Sequence, residues 1–301
     1  MIDVEWLDAF VGFAEQLNFT RAARDRHISQ PALHLQVKKL EEGLGAPLYR
    51  KRGRSLELTD AGHRTLAFGR EIRERMREFQ GELHADGAPL PAVLAAGEGA
   101  YLYLLGEAIR RFTSSGASRL RLLTRDHAGA VEAVATGEAQ LGVASLDVLP
   151  DGLTAELLTR VGQALMVPAD HPLAGRRSAT IAELDGARLV VPPNGRPHRA
   201  MLTQAFAAAG ASFDVAVEAG GWELMLHFVR LGVGVAVVNA CCRAPAGLVA
   251  VPMPELPVRA YHLLRRPSAP LRGPVAALHE ALLAAKDAWR SPTKRAGGPA
   301  A

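Results

Sequence analysis

The sequence is poor in cysteine and has no long uncharged apolar run. Only two of its 301 residues are cysteines, the adjacent Cys241 and Cys242. Adjacent cysteines rarely close a structural disulfide, and two thiols cannot complete a four-ligand zinc site without other ligands. Because no stretch of 18 apolar residues is free of charge, a membrane-spanning helix is not expected.

The signatures of several enzyme classes are also missing. Residues 97–102 follow an expected strand but lack the third glycine of the dinucleotide-binding fingerprint. Residues 279–283 begin like a zinc-protease motif without its second histidine, and the ten histidines have no ligand spacing. Neither a phosphate-binding loop nor a nucleophile elbow occurs. We therefore predict a protein that is not an enzyme and that uses neither a metal nor a cofactor.

Length and composition are those of a soluble protein with two or three domains. Hydrophobic residues make up 49% and charged residues 22% of the chain, which are ordinary values. The first ten residues are acidic and amphipathic, unlike the basic and then apolar start of a secretory signal. We expect a cytoplasmic protein that does not contact membranes.

Residues 18–42 are the most informative segment, because they combine two short helical patterns with a polar outer face. The first helix is expected to begin at Thr20, a residue type that caps helix N-termini. The second begins at Ser29, and its apolar stripe must pack inward. That stripe consists of Leu33, Val37 and Leu40, and the opposite face carries Pro31, His34, Leu35 and Lys38. A short helix held in this way suits the major groove of DNA.

The same region has a larger net positive charge than the chain as a whole. Between Asn18 and Arg54, nine basic and three acidic residues leave an excess of six, whereas the net charge of the chain is +4. Such a local excess is the electrostatic footprint of phosphate contacts. Leu56 and Leu58 alternate after a glycine in a basic turn, which predicts a β-hairpin. Together with an apolar helix from about Asp3 to Leu17, these elements predict a winged helix-turn-helix over residues 1–62.

A long polar helix is predicted to follow, capped by Thr59 and continuing to about His84. Its apolar residues recur at spacings of four, three and four, which form a short coiled-coil seam. A helix this polar would not be stable alone, so we predict that it pairs with its copy in a homodimer. The predicted linker helix spans residues 63–86, and its dimerisation residues are Ile72, Met76, Phe79 and Leu83.

From Ala92 onward the pattern changes to alternating strands and helices. This alternation is typical of βαβ units and of a parallel sheet. Residues 86–91 are rich in glycine and proline and form a linker between the two patterns. The last predicted helix covers residues 274–289, and we expect residues 291–301 to be a disordered tail.

Four segments near the N-terminus match one known family in order and spacing. They are Asn18–Ala23, Ile28–Leu33, Lys38–Arg50 and Leu58–Gly62, with weaker matches at residues 137–143, 169–173 and 229–237. On the basis of these segments the chain resembles the LysR-type transcriptional regulators. The resemblance extends over nearly its whole length. The resemblance implies a winged-helix domain, a dimerising linker helix, and an α/β effector domain with two lobes like those of periplasmic binding proteins. It also implies tetramers that bend promoter DNA. RNA polymerase is a further expected partner.

The resemblance gives expected boundaries for the effector domain and an expected ligand cleft. The domain spans residues 90–290, with lobe 1 at about 91–163 plus 264–290 and lobe 2 at about 164–263. A small polar effector with donor and acceptor groups is expected in the cleft between the lobes, near the ends of strands. The expected lining residues are Gly97, Glu98, Gly99, Ala100, Arg125, Asp126, Ser145, Asn194, Gly195, Arg196, His198, Trp222 and Asn239. Glu98 would oppose an anion, whereas Arg196 or His198 would favour one.

The expected DNA contacts lie on the second short helix and the hairpin. Base edges or groove walls are assigned to Gln30, Pro31, His34 and Lys38, and phosphates to Thr20, Arg21, Ser29 and Arg52. Leu35 and Arg54 are the other expected DNA-binding residues. Arg24, Arg26 and Arg54 are equally well interpreted as solvated surface cations. The family often has serine and arginine where this chain has His34 and Leu35, and Leu35 is suited to a thymine methyl group. The DNA sequence that is read is therefore expected to be unusual.

Two other functions stay open at this point. One is a solute-binding or enzymatic α/β protein with an incidental helical segment, although neither a secretion signal nor a catalytic constellation supports it. The other is a DNA-binding regulator that is constitutive or controlled by oxidation of Cys241 and Cys242. Only Arg243 lies close enough in sequence to lower the pKa of either thiol.

Overall fold

The computed structural model describes residues 2–53, 55–83, 91–114, 119–267, 269 and 271–286. Several sequence predictions fall outside these residues. Arg54, the linker at 86–90 and the tail at 291–301 are among them, and the side chain of Leu83 is not described either.

The N-terminal unit is a winged helix-turn-helix, as predicted. Its three short helices precede a hairpin, and the long helix follows. In chain order these elements are α1 (Val4–Ala14), α2 (Phe19–Asp25), α3 (Gln30–Leu44), β1 (Tyr49–Arg52), β2 (Ser55–Leu58) and α4 (Asp60–Leu83). The two strands pair antiparallel, with Tyr49 opposite Leu58 and Arg52 opposite Ser55.

Helix starts follow from side chains that accept backbone N–H groups. Ser29 caps α3, where its hydroxyl accepts the Ala32 N–H at 3.3 Å, and the left-handed Gly45 ends that helix. The predicted start of α2 at Thr20 is wrong. Asn18 caps this helix by accepting the Arg21 N–H at 3.0 Å, because its short amide reaches the first turn from an extended backbone.

One apolar core holds the N-terminal unit together. Leu33, Val37 and Leu40 are buried as predicted, and they pack against α1. Phe13 stacks on Phe19 with ring centroids 3.9 Å apart, and this contact fixes the angle between α1 and α2. Burial of the α3 stripe leaves only the opposite face of that helix exposed.

The long helix α4 begins against the hairpin with little space between them. The Thr59 hydroxyl donates to the Pro47 carbonyl oxygen at 2.6 Å and accepts the Gly62 N–H at 3.0 Å, which confirms Thr59 as the cap. A Cβ atom at position 62 would lie 1.9 Å from the Leu48 carbonyl oxygen. Only glycine therefore allows α4 to approach the chain at Leu48 this closely.

Lobe 1 of the C-terminal part is a five-stranded sheet covered by helices. The order of its strands is β4-β3-β5-β12-β6. The strands are β3 (Ala92–Ala96), β4 (Leu120–Thr124), β5 (Leu141–Ser145), β6 (Thr154–Val161) and β12 (Arg259–Arg265). The helices are α5 (Glu98–Ala100), a π-helical turn (Tyr101–Leu105), α6 (Gly106–Ser114), α7 (His127–Ala135) and α10 (Gly273–Ala284).

Lobe 2 is built from a three-stranded sheet and a parallel strand pair. The order of the larger sheet is β10-β7-β11, and an isolated bridge from Leu189 to Val235 links it to the pair β8-β9. The strands are β7 (Gln163–Pro168), β8 (Ala187–Val191), β9 (Phe213–Glu218), β10 (Ala236–Asn239) and β11 (Leu248–Pro252). The helices are a short 3-10 turn (Ala182–Leu184), α8 (Pro197–Ala208) and α9 (Trp222–Arg230).

The sheets differ from the parallel arrangement that the alternating pattern predicted. Strand β12 runs antiparallel to β5 and β6, and β7 runs antiparallel to β10 and β11. Sequence reasoning missed β6 and β11, which follow loops rather than helices. It also divided β12 by placing the lobe boundary at 263/264, whereas the whole strand pairs within lobe 1. The chain therefore crosses between lobes at Gly162 and again between Pro252 and Arg259.

In the part of the chain that the structure describes, no helix is both long and apolar enough to cross a membrane.

The close approach at Gly62 gives a prediction for stability. A Gly62→Ala substitution should destabilise the N-terminal unit by about 2 kcal/mol or more, because backbone rather than a flexible side chain must move. Gly43→Ala is the matched control in α3, where no heavy atom lies within 4 Å of the added Cβ, and it should be neutral or stabilising by up to about 1 kcal/mol. Urea unfolding followed by Trp6 fluorescence, in a background in which Trp222 and Trp289 are replaced by phenylalanine, measures both. Equal midpoints would contradict the prediction.

Candidate functional site

The outer face of the N-terminal unit is exposed at every described position predicted to contact DNA. These positions are Thr20, Arg21, Ser29, Gln30, Pro31, His34, Leu35, Lys38 and Arg52. They lie on α2, on α3 with its cap, and on the hairpin. Leu35 alone among the apolar residues of α3 is exposed by about half. The fold thus leaves all of these side chains accessible to solvent.

A hydrogen bond between two side chains orders the start of this surface. The Thr20 hydroxyl donates to Gln30 Oε1 at 3.1 Å, joining the first turns of α2 and α3. The bond occupies the carbonyl end of the Gln30 amide and leaves its NH₂ group as the donor. An amide oriented in this way presents hydrogen-bond donors to acceptors on a base or a phosphate.

His34 is held in place by aromatic side chains rather than being free. Its ring centroid lies 5.0 Å from that of Phe19, and its Nε2 lies 3.2 Å from the Tyr49 hydroxyl. Burial, followed by the nearby Glu41 carboxylate, raises the pKa of Tyr49 above its ordinary value, so the hydroxyl stays protonated. Sequence reasoning missed Tyr49 because its role depends on the hairpin folding back onto α3.

The basic residues of this region have different roles. Arg52 Nη1 lies 3.3 Å from Glu57 Oε1, so the hairpin arginine already has a carboxylate partner on the next strand. Arg26 Nη1 lies 2.7 Å from Asp8 Oδ2 and packs α2 against α1. Burial opposes ionisation of Asp8, but Arg26 and Arg73 outweigh it and lower the pKa of that carboxyl. Arg26 therefore stabilises the fold, and Arg24 remains an exposed cation.

A cavity of about 490 Å³ separates the two lobes. It lies at the carboxyl ends of β3 and β4 and against the N-termini of α8 and α9, as expected for an open α/β sheet. The structure places ten predicted residues on its lining: Gly97, Glu98, Gly99, Arg125, Asp126, Ser145, Arg196, His198, Trp222 and Asn239. Three others are not on it. Ala100 is buried behind it, and Asn194 and Gly195 lie outside it.

Sequence reasoning missed several lining residues. Arg259 and Tyr261 come from β12, which the incorrect lobe boundary had divided. The others are Thr124, His127, Pro192, Pro193, Pro197, Met201, Gly220, Gly221 and Met225. Most of these adjoin predicted residues, so proximity in sequence was a usable signal for them. Arg259 and Tyr261 could have been found only by recognising that the chain returns to lobe 1 through β12.

Each arginine on the cavity wall is paired with a carboxylate. Arg125 Nη2 lies 3.0 Å from Glu138 Oε1, and Arg196 Nη1 lies 3.0 Å from Asp126 Oδ2 across the cleft. Arg259 donates to Ser145 Oγ at 3.0 Å, and its Nη1 lies 3.0 Å from Asp147 Oδ2. These pairs neutralise the positive charge that the sequence placed at the cleft.

His198 is a neutral hydrogen-bonding group. Its Nε2 lies 2.8 Å from the Val237 carbonyl oxygen, which can only accept, so this nitrogen carries the proton. Its ring is nearly perpendicular to that of Trp222, with centroids 4.7 Å apart. Burial lowers the pKa of His198 to about 4, and the charge on Arg259 adds to the effect of burial. His198 thus supplies no positive charge near neutral pH, contrary to the expectation that it would attract an anion.

The hinge wall of the cavity contains Asn239 and Tyr261. The Asn239 side-chain NH₂ donates to the Tyr261 hydroxyl at 2.8 Å, and burial raises the pKa of Tyr261. Tyr103 of lobe 1 donates a hydrogen bond to Glu223 of lobe 2 nearby. These contacts join the lobes on one side of the cavity.

The two cysteines lie at the same hinge. Cys241 packs against the core of lobe 1, whereas Cys242 is buried in the core of lobe 2. Cys241 beside it, burial, and the Glu223 carboxylate raise the pKa of Cys242, which opposes formation of a thiolate. Within the described residues, no group of three histidine, cysteine or acidic side chains is placed to hold a metal ion.

Comparisons with known proteins match both the N-terminal unit and the two-lobed part of the chain. The family model described as bacterial regulatory helix-turn-helix protein, lysR family, matches residues 4–63, and the LysR substrate binding domain matches residues 92–287. The transcriptional activator IlvY of Salmonella typhimurium is 29% identical over 79% of this chain and 82% of its own.

Solved structures show the same fold. A full-length OxyR variant from Pseudomonas aeruginosa superposes with a TM-score of 0.69 at 23% identity, covering 95% of each chain. CbnR, solved in complex with its target DNA, gives a TM-score of 0.57 at 22% identity, covering 94% of this chain and 100% of its own.

The neutral state of His198 gives a prediction for pH dependence. The unfolded chain, with an ordinary histidine pKa of 6.5, binds more protons than the folded chain, whose His198 has a pKa of about 4. The stability from this group is therefore present above pH 6.5 and is lost as the pH falls toward 4. Between pH 7 and pH 5 the loss is roughly 2 kcal/mol.

Urea unfolding at the two pH values tests this. A His198→Gln variant should lose less stability on acidification than the wild type by that amount. His227→Gln is the control, because His227 is an exposed histidine of α9, and it should match the wild type. Equal acid sensitivity of all three proteins would show that His198 does not titrate as described.

Proposed function

Because the chain belongs to the LysR family of DNA-binding transcriptional regulators, we propose that α3 reads its promoter DNA and that a small effector in the interlobe cavity alters this contact. One observation supports the DNA contact above all. The apolar side of α3 is sealed in the core, and the opposite side gathers the exposed polar and basic residues on one surface. A helix held in this way enters the major groove with its N-terminal residues toward the bases.

Within this surface, position suggests a division of roles. Gln30, Pro31, His34, Leu35 and Lys38 lie along α3 and are proposed to meet base edges or groove walls. The proposed phosphate contacts are Thr20, Arg21, Ser29, Arg52 and Arg54. Because Glu57 already pairs with Arg52, this arginine must exchange a carboxylate for a phosphate when DNA binds.

The seam on α4 is proposed to form the dimer. Met76 and Phe79 are exposed by 48% and 55%, and a second copy of α4 packed along the seam would bury both. Phe68, exposed by 47%, extends the seam toward the N-terminus and was missed in the sequence. Ile72 is half-buried against the N-terminal core, so we propose that it contributes less to the dimer than Met76 and Phe79 do. Dimers that pair into tetramers, and contact with RNA polymerase, remain predictions.

Helix α7 provides a direct connection between the effector cavity and α4. At its first turn, Asp126 caps the helix through the Gly129 N–H at 3.0 Å and pairs with Arg196 of lobe 2. At its last turn, the Thr136 carbonyl oxygen accepts a hydrogen bond from Arg70 Nη1 of α4 at 3.1 Å. Arg70 also pairs with Glu15 of α1. A change in lobe spacing that moves Asp126 is therefore passed to the DNA-binding unit.

Control by cysteine oxidation receives less support. A peroxide-sensing thiol must ionise readily, whereas the surroundings of Cys242 raise its pKa. The solute-binding and enzymatic alternatives receive no support from the family matches, which describe a helix-turn-helix regulator and its substrate binding domain.

Lys38 and Lys39 allow a matched test of the DNA contact. Lys38→Ala should weaken binding to promoter DNA several-fold and flatten its salt dependence, because one cation is lost from the helix that lies in the groove. Lys39→Ala removes the same charge from a lysine whose ammonium lies 5.3 Å above the Trp6 ring, away from this surface, and should change neither quantity. Gel-shift titrations at several salt concentrations measure both, and an unaltered Lys38→Ala protein would exclude this lysine.

The effector response can be tested with variants of α9. A screen of small polar compounds by DNA footprinting should find ones that change the protected region. Trp222→Ala should weaken the response to such compounds at least about tenfold, because it removes an aromatic wall of the cavity. Leu224→Ala, which alters an exposed leucine of the same helix, should preserve it. Binding of purely apolar compounds alone would count against a polar effector.

A further inference from the structure

The interlobe cavity contains one carboxylate without a counter-charge. Arg125, Arg196 and Arg259 on the lining each pair with a carboxylate, and Asp126 is one of those carboxylates. Glu98 is the other acidic residue on the lining. Among the described residues, its side chain has neither a hydrogen-bond donor nor a basic group within ion-pair distance. The cavity thus presents its positive charges neutralised and one negative charge open.

The position of Glu98 directs this charge into the cleft. It is the first residue of α5 and is exposed, although the residues on either side are half-buried. Its Oε2 lies 3.1 Å from the place where a Cβ of Gly221 would stand, at the start of α9 on the opposite lobe. The N-terminus of α9 offers only about half a positive charge. Glu98 therefore reaches across the cleft without finding a full cation there.

Apolar and neutral groups line the same cavity as this carboxylate. The indole of Trp222 lies so close to Gly99 that a Cβ there would be 2.5 Å from its Cδ1 atom. Neutral His198 lies nearly perpendicular to the same indole, and Met201 and Met225 also line the cavity. A carboxylate without a counter-charge next to an aromatic residue can hold an organic ammonium group, with the ion pair as the main attraction.

We propose that the effector of this regulator is a small compound bearing a protonated amine, which pairs with Glu98 beside Trp222. This inference rests on the proposed effector response. The rest of the compound occupies a cavity of about 490 Å³, within the range of sites for small metabolites. Binding replaces the water around Glu98 with an ammonium partner that bridges the lobes, since Glu98 belongs to lobe 1 and Trp222 to lobe 2.

An anionic effector is a poorer fit to the same geometry. A carboxylate ligand would have to displace Glu138, Asp126 or Asp147 from its arginine and would meet Glu98 as a like charge. His198 would have to take up a proton in a buried position before it could assist. The arginines are therefore better described as part of the cavity wall than as free anion sites.

Matched ligands that differ only in the charged group test this proposal. Three sets serve as probes: phenethylamine with hydrocinnamate and hydrocinnamyl alcohol, histamine with imidazole propionate, and isoamylamine with isocaproate. Calorimetric titration of the full chain should show that at least one amine binds at least about tenfold more tightly than its matched carboxylate. Glu98→Gln should abolish that preference, and Glu98→Asp should retain part of it because the charge remains.

Asp151→Asn is the control, because it removes an exposed carboxylate outside the cavity lining. It should leave the preference for the amine unchanged. Circular dichroism of each variant establishes that it is folded before titration.

The remaining outcomes separate this inference from the proposed function. If carboxylates or alcohols bind, lose affinity in Trp222→Ala and change the DNA footprint, the effector response stands and the amine is wrong. If an amine binds equally well to Glu98→Gln, Glu98 is not its partner and the proposal fails. If no amine binds, the proposal fails, and the footprint screen decides separately whether the effector response fails with it.

Discussion

Burial of the apolar stripe of α3 against α1 is the constraint on which the DNA-binding surface depends. With Leu33, Val37 and Leu40 in the core, the rotation of the helix about its axis is fixed. Every other side chain of α3 then has a determined direction, including those on the exposed face. The aromatic contacts of Phe13 and Phe19 add a second restraint, because they set α2 against α1 and carry His34 on their outer side. Buried residues beneath the polar surface therefore determine its geometry.

The sequence predicted the elements that depend on local periodicity and failed where partners are distant. Ser29 and Thr59 could be recognised as caps from the sequence because capping is a local interaction. Each accepts a backbone N–H group from the first turn of its own helix. Asn18 was missed because Thr20 is also a good capping residue, and only the backbone geometry distinguishes them. Strands β6 and β11 escaped notice because their partners lie far along the chain. The return of the chain to lobe 1 through β12 was likewise not encoded in any local pattern.

In the candidate cleft, residue types could likewise be predicted from the sequence, whereas the environment of each residue could not. Most of its lining could be found from loops that follow expected strands, but the charge of the cleft could not. Arginine in such a loop indicates anion binding only when it has no partner. Here Glu138, Asp126 and Asp147 provide partners, two of which lie outside the cavity lining. Histidine is similarly ambiguous, since burial rather than composition decides that His198 is neutral.

The two crossings between the lobes have a consequence for how this architecture can change. Lobe 2 is one uninterrupted stretch, from β7 to β11, and its ends are neighbours because Ala164 pairs with Pro252. A segment that leaves and re-enters its host at adjacent points can be replaced without disturbing the host fold. Lobe 1 keeps Glu98, α7 and the contact to α4. Replacement of residues 163–256, which include the lobe 2 core residues Met253 and Leu256, would therefore exchange half of the cavity lining together with Arg196, while lobe 1 keeps α7 and its contact to α4. New ligand specificities can thus be acquired through one continuous segment.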